Sequence, residues 1–415
     1  MGASPKLNIL IVSQYFPPEP GSTQNRLASL TEHLVRLGHK VAVLTAVPNY
    51  PSGVVFPGYR GRSLYRETRH GATVYRTTLY VTTSRALSRR MINYVSFGAM
   101  ALVCGFFLVR RPNLLIWDSP PLFIGPFARV LAWLKRAPCV MNVADLWPES
   151  AVAMGLVSKD ALTTRLAERL ELWLYRHSDL ITGQTQGIVD SISTRVPQVR
   201  VQLLPNGVDL DKIRPVGPDP QLARQLGLEG KFVIGYAGIL GYAQALDGIL
   251  QTAALLKDER SVFFAFWGDG PVREQLVQKV QERRLTNVRF YAPRPRRDMP
   301  GIIALWKMGL VPLADHPLFS GARPSKMFEL MGLGTPILFS GRGEGADIVR
   351  RNGCGLVAPP EDPPALAELI RSVVRDPGQL EPLRGNGQRT AREQFDRAAI
   401  VSRLARELEA VARRR

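Results

Sequence analysis

Between Ser320 and Leu338 the sequence reads SGARPSKMFELMGLGTPIL, a basic loop that runs into a short helix which Gly334 should end. Arg323 and Lys326 fall at the start of that helix. There the free N–H groups and the helix dipole add to their charge and favour a diphosphate. Ser325 stands among them, and Glu329 lies one turn on, placed to accept hydrogen bonds from ribose hydroxyls. Nucleotide binding is the chemistry this pattern suits. An amphipathic helix with a solvent-facing glutamate and ordinary basic caps would share the pattern.

A second group of candidates follows the apolar run 139–143. Asp145 stands where the carboxyl end of a parallel strand would project a catalytic side chain. It could orient or partly deprotonate an acceptor hydroxyl, with Trp147 and Glu149 shaping the same loop as acceptor contacts; capping the next turn is the equal alternative. Glu344, in GRGEGAD, offers a contact to a donor sugar or a carboxylate at a helix start. Asp209-Leu210-Asp211 spells a D-x-D string, but it follows PNGVD beside a proline-rich segment and reads as a surface acidic pair rather than a metal site. The five histidines have no ligand spacing, and Cys104, Cys139 and Cys354 are far apart, so no metal is expected.

These residues need a scaffold, and the hydrophobic pattern supplies one twice. Apolar runs at 7–13, 40–47, 72–79, 113–117, 139–143 and 179–182 alternate with helical stretches, the first of them 27–37, as βαβ units of a parallel sheet do. After LLPNGVD (203–209) and a segment holding Pro215, Pro218 and Pro220, the pattern restarts. Strands are expected at 232–237, 262–267 and 288–291, with helices at 246–256 and 271–284. With 415 residues, the chain exceeds one ordinary core. The expected organisation is an N-terminal Rossmann-like domain at 1–205, a C-terminal Rossmann-like domain at 206–385, and a helical segment at 386–415 packing back toward the first. Two doubly wound α/β domains facing across a cleft would gather loops and helix N-termini at the carboxyl ends of both sheets.

PSKMFELMGLGTPI, PNGVD (205–209), FWGDGP (266–271) and GCGLVAPPEDPPALAELI (353–370) together resemble family 4 of the retaining glycosyltransferases. SQYFPPEPGSTQNR (13–26) and ADLWPES (144–150) look like its bacterial surface-polysaccharide branch, the fucosaminyltransferase-like enzymes. The resemblance spans the chain and implies a GT-B fold, transfer with retention, a UDP-sugar co-substrate, no cofactor, and a lipid-linked (polyprenyl-diphosphate) glycan acceptor. Two departures matter. The family's paired glutamates lie eight positions apart with the second at Glu329, and Gly321 stands at the first. The family's arginine and lysine after the first strand of the second domain are replaced by Gly238-Ile239-Leu240-Gly241-Tyr242-Ala243-Gln244. Leaving-group charge then falls to Arg323 and Lys326, helped by backbone N–H groups near Gly241 and Gly21.

The net charge is +19, and residues 1–205 carry 23 basic groups against 11 acidic. The densest stretch holds Arg60, Arg62, Arg66, Arg69, Arg76, Arg85, Arg89 and Arg90 against Glu67 alone, and the uncharged segment Met91–Val109 follows it. Spanning a bilayer would put strands of one sheet on opposite sides, so a buried or interfacial helix is expected instead. The basic run favours an anionic membrane surface as partner. A cytoplasmic protein on the inner face of the membrane is the expectation, without export. A GT-B sugar-nucleotide epimerase is the rival enzyme. Nucleic acid is not an expected partner, for no zinc finger, RNP-like string or basic heptad accompanies the charge.

Overall fold

The computed structural model describes residues 6–84, 86–153, 155 and 157–414, which divide into two units. Unit 1 is Met1–Pro205 with Arg397–Arg415, and unit 2 is Asn206–Asp396. The helix Leu380–Gln394 stays with unit 2, so the return segment begins about a dozen residues later than the expected 386. Its apolar positions Leu380 and Ala391 are buried there.

Unit 1 is built on β1 (Asn8–Val12), β2 (Lys40–Ala46), β3 (Leu64–Arg69), β4 (Ala72–Thr77), β5 (Leu114–Ser119), β6 (Cys139–Val143), β7 (Leu180–Gly183) and β8 (Val201–Leu203). Their order is β3-β4-β2-β1-β5-β6-β7-β8. All pair in parallel except β3, which runs antiparallel to β4. Successive residues of β1 serve opposite faces, as the pleat requires. Ile9 and Ile11 pack with Leu27, Leu30 and Leu34 of helix α1 (Ser22–Arg36) and with Val401, Leu404 and Leu408 of the C-terminal helix Arg397–Arg413. Leu10 and Val12 face Phe97 and Ala101 of α2 (Leu87–Leu108) and Leu131 of α3 (Gly125–Lys135). α1 starts well before the expected 27 because its first turn, STQN, is polar and adds nothing to apolar periodicity.

The basic stretch does not act as one surface. Residues 64–69 form edge strand β3, whose side chains alternate between exposed and half-buried; charge on an edge discourages pairing with another sheet. Arg76 is fully buried. It donates to Glu67 at 2.8 Å and to the carbonyls of Ala46 and Pro17, so it belongs to the core and cannot meet a membrane. Arg60, Arg62, Arg66, Arg89 and Arg90 are exposed; Arg85 lies outside the described residues.

Unit 2 is a parallel sheet of β9 (Phe232–Ala237), β10 (Val262–Trp267), β11 (Val288–Tyr291), β12 (Met308–Pro312), β13 (Ile337–Ser340) and β14 (Gly355–Ala358) in the order β11-β10-β9-β12-β13-β14. Both sheets reverse their direction of winding at an interior pair, β1/β5 in unit 1 and β9/β12 in unit 2. Such switch points open a crevice at the carboxyl ends of the strands.

Candidate active site

The crevice of unit 2 is framed by the loop after β9, the loop after β12 and the helix Ser325–Leu333. Backbone fit fixes the first loop. A Cβ at Gly268 would stand 1.9 Å from the Gly238 carbonyl, so glycine alone lets the turns after β9 and β10 close on each other. Gly241 is buried beside them, and Ala314 N–H donates 2.9 Å to Ala243 O, tying the β12 loop to the β9 loop. On the far side, a Cβ at Gly343 (φ 81°) would meet Ser320 O at 1.9 Å, which presses GRGEG against SGA.

Lys326 enters this crevice. Its ammonium lies 3.6 Å from the centroid of the Tyr236 ring at the end of β9, and a Cβ on Gly238 would stand 2.9 Å from it. Burial lowers the Lys326 pKa to about 7, against the upward pull of Glu329. Tyr236 donates its hydroxyl to Ile239 O at 2.6 Å, fixing the ring. Pro324 precedes the helix and offers no side-chain cap, so the first-turn N–H groups around exposed Ser325 point their partial positive charge at the same crevice.

The other predicted residues of unit 2 are paired. Arg323 binds Glu344 at 2.6 Å, both largely buried. Its charge is already met by a carboxylate, and Glu344, the first residue of the helix Glu344–Asn352, is held by that arginine. Glu329 accepts from Arg296 at 2.6 Å. Sequence reasoning missed Arg296 because PRPRR reads only as a basic loop, and it missed Tyr236 because an aromatic at a strand end reads as core.

In unit 1, Gly21 (φ 149°) caps the amino end of α1 without a side-chain bond. Asp145 is exposed at the carboxyl end of β6 and accepts from Ser150 Oγ at 2.5 Å. Both of its readings keep a place, since the helix Glu149–Ala153 begins just beyond. Trp147 meets Phe123 edge to face at 5.2 Å, and Glu149 is exposed. The loop thus gathers Asp145, Trp147 and Glu149 along one rim.

Beneath that rim runs a buried polar layer with no sequence signal, since its members lie far apart in the chain. Arg26 of α1 binds both oxygens of Asp118 at 2.9 Å. Asn142 donates to Asp118 at 2.5 Å, and Thr182 donates to Asn142 at 2.8 Å. Burial pushes the Asp118 carboxyl up while Arg26 and Asn142 pull it down. The chain of bonds ties β5, β6 and β7 to α1 at the switch point of unit 1.

Comparison with known proteins gives a consistent picture. Residues 21–207 match the family described as glycosyl transferase 4-like domain, and residues 219–393 match glycosyl transferases group 1. WcaI of Escherichia coli (strain K12), described as a colanic acid biosynthesis glycosyl transferase, is 27% identical over 341 residues, 79% of this chain and 82% of that one. The glycosyltransferase WbjE of Pseudomonas aeruginosa is 29% identical over 270 residues, 64% of this chain and 66% of its own. Among solved structures, Anabaena Alr3699/HepE in complex with UDP superposes with a TM-score of 0.71 at 17% identity, covering 97% of this chain and 100% of that one.

Proposed function

This chain belongs to the family 4 glycosyltransferases of GT-B fold that build surface polysaccharide, and from that premise we propose that it moves a sugar from a UDP-sugar, with retention, to a lipid-linked glycan. The observation that carries the donor half is the Lys326 ammonium held over Tyr236 at the β9/β12 switch point. A partly desolvated amine beside uncapped N–H groups gains most when a diphosphate arrives, and it can neutralise charge on the β-phosphate as the glycosidic bond breaks.

Arg323 and Glu344 then act as a pair. Arg323 holds the Glu344 carboxylate toward the donor sugar, and diphosphate binding draws the guanidinium into a shared contact. Glu329 takes the ribose hydroxyls, with Arg296 orienting its carboxylate. Acceptor binding falls to unit 1, where Asp145 receives the acceptor hydroxyl and Trp147 and Glu149 contact its sugar. The backbone N–H groups near Gly21 and Gly241 complete the anion sites, and no cofactor or metal is called for.

The cytoplasmic leaflet of an anionic membrane is the surface on which this chemistry takes place. Ile92, Val95, Val103, Phe106 and Phe107 of α2 and Val130, Trp133 and Leu134 of α3 are exposed, Phe107 by 74% and Trp133 by 67%. Two packed helices that each leave an apolar face in solvent suit interfacial insertion better than spanning. A sugar-nucleotide epimerase would have no use for that face.

Titration calorimetry with UDP, GDP and ADP tests the donor assignment. UDP should bind at least tenfold tighter than the other two; equal affinities, or a preference for GDP or ADP, would overturn it.

A further inference from the structure

The amino end of α2 gathers cations and hydroxyls beside the loop that follows β1. Arg90 donates to the Tyr94 hydroxyl at 3.0 Å, and Tyr94 hydrogen-bonds the hydroxyl of Tyr15. The Tyr15 ring meets Tyr50 edge to face at 5.6 Å. Asn93, one residue before Tyr94, accepts from Gln14 at 2.7 Å and donates to Tyr80 O at 2.6 Å. These bonds lock the first turns of α2 to the β1 loop at the switch point of unit 1.

Three features of this cluster favour a polar ligand. Arg89 and Arg90 are exposed, and no carboxylate lies within ion-pair distance of either among the described residues. Burial, with Tyr94 second, raises the Tyr15 pKa well above the usual phenol value; its proton stays on and is given to Tyr94, which also accepts from Arg90 and so keeps its own hydrogen to donate. The Oε1 atom of Gln14, a residue only 2% exposed, has no hydrogen-bond partner among the described residues. A buried acceptor atom without a donor is costly and suits a ligand hydroxyl.

The same helix carries its exposed apolar residues away from this cluster at helical spacing, from Ile92 and Val95 to Val103, Phe106 and Phe107. Over 22 residues, at about 1.5 Å each, the helix runs on the order of 30 Å. An anion site with an apolar track leading from it matches a ligand that is itself a diphosphate on a long hydrocarbon.

We propose that Arg89 and Arg90, with the hydroxyl of Tyr94 that Tyr15 holds in place, bind the diphosphate of a polyprenyl-linked acceptor. Its prenyl chain leaves along α2 into the bilayer, and a hydroxyl of its first sugar donates to Gln14 Oε1. Guanidinium groups grip phosphate oxygens bidentately, and the Tyr94 hydroxyl adds one directional bond. This assignment rests on the reading of a lipid-linked acceptor.

Farnesyl diphosphate is the probe, used with the full chain and with the double variant Arg89→Gln/Arg90→Gln, both exposed positions. The native chain should bind it, and the double variant should bind it at least tenfold more weakly, with an unchanged thermal midpoint and unchanged UDP affinity. Tyr94→Phe should weaken it severalfold, and farnesol should not compete. With a polyprenyl-diphosphate glycan, the double variant should raise KM and leave kcat within about twofold. Equal farnesyl diphosphate affinity in both proteins would overturn the site while leaving the lipid-linked acceptor intact. So would a double variant that loses phosphatidylglycerol vesicles but keeps farnesyl diphosphate, since the arginines would then serve phospholipid headgroups. If the native chain binds UDP yet ignores farnesyl diphosphate and transfers only to lipid-free glycans, the acceptor reading itself falls and takes the site with it.

Discussion

The Lys326 ammonium sits 3.6 Å from the centroid of the Tyr236 ring, joining the helix Ser325–Leu333 to the end of β9 across the switch point of unit 2. Burial holds its pKa near 7 against an ordinary 10.5. From about pH 7 to 10.5 the unfolded chain keeps this proton and the fold releases it, so stability rises with pH across that window. Below pH 7 the charged form is buried and its desolvation cost is present in full.

Proton linkage gives the first prediction. A diphosphate beside Lys326 raises its pKa, so at pH 8, where the UDP phosphates are already ionised, binding should take up a proton. Calorimetry in buffers of different ionisation enthalpy reads that proton directly. Lys326→Met should lose the uptake and weaken UDP by about 1.5–3 kcal/mol. Identical proton uptake in the variant would remove Lys326 from the diphosphate.

Glu329 and Arg296 give the second. Glu329→Ala should cost about 1.5–3 kcal/mol of UDP affinity, the range for hydrogen bonds to a charged group. Arg296→Ala should cost less and should cost nothing further in the Glu329→Ala background, because it acts through that carboxylate. Additive losses in the double variant would show that Arg296 touches the nucleotide independently.

Much of the scaffold could be read in advance because buried parallel strands are continuous apolar runs, and β1, β6, β9 and β10 fall where those runs are. β3 was hidden by its arginines, and the short β8 carries too little pattern to separate from a loop. The helix Ser325–Leu333 was visible from its basic entry and from Gly334, yet the pairings of its residues were not. Arg323 with Glu344 lie 21 residues apart and Arg296 with Glu329 lie 33 apart. Arg26 and Asp118 are separated by 92. Only the folded sheet order brings such residues together.

The packing of α2 on α3 supplies a prediction about stability. A Cβ at Gly98 would stand 2.3 Å from the Phe127 ring, and one at Gly105 would stand 2.5 Å from Leu131. Gly98→Leu should therefore destabilise unit 1 by about 1–3 kcal/mol through overpacking. Denaturant unfolding followed by tryptophan fluorescence measures it, and an unchanged midpoint would mean that the two helices do not pack this closely.

Membrane attachment should have two components. Exposed arginines contribute about 1 kcal/mol each near an anionic surface, screened by salt. The apolar faces of α2 and α3 add a part that salt cannot remove. High salt should release the protein from anionic vesicles only in part, and Phe107→Ser with Trp133→Ser should make that release complete. Equal sedimentation with neutral and anionic vesicles, or none with either, would take the membrane out of the account.

Transfer itself is tested most directly by UDP release from a UDP-sugar, measured with and without a polyprenyl-diphosphate glycan in the presence of EDTA, with the product's anomeric configuration read by NMR. The account predicts release that requires the acceptor, persists in EDTA and yields the donor's own anomeric configuration. Release that ignores the acceptor, an inverted product, or activity lost to EDTA and restored by magnesium would contradict it.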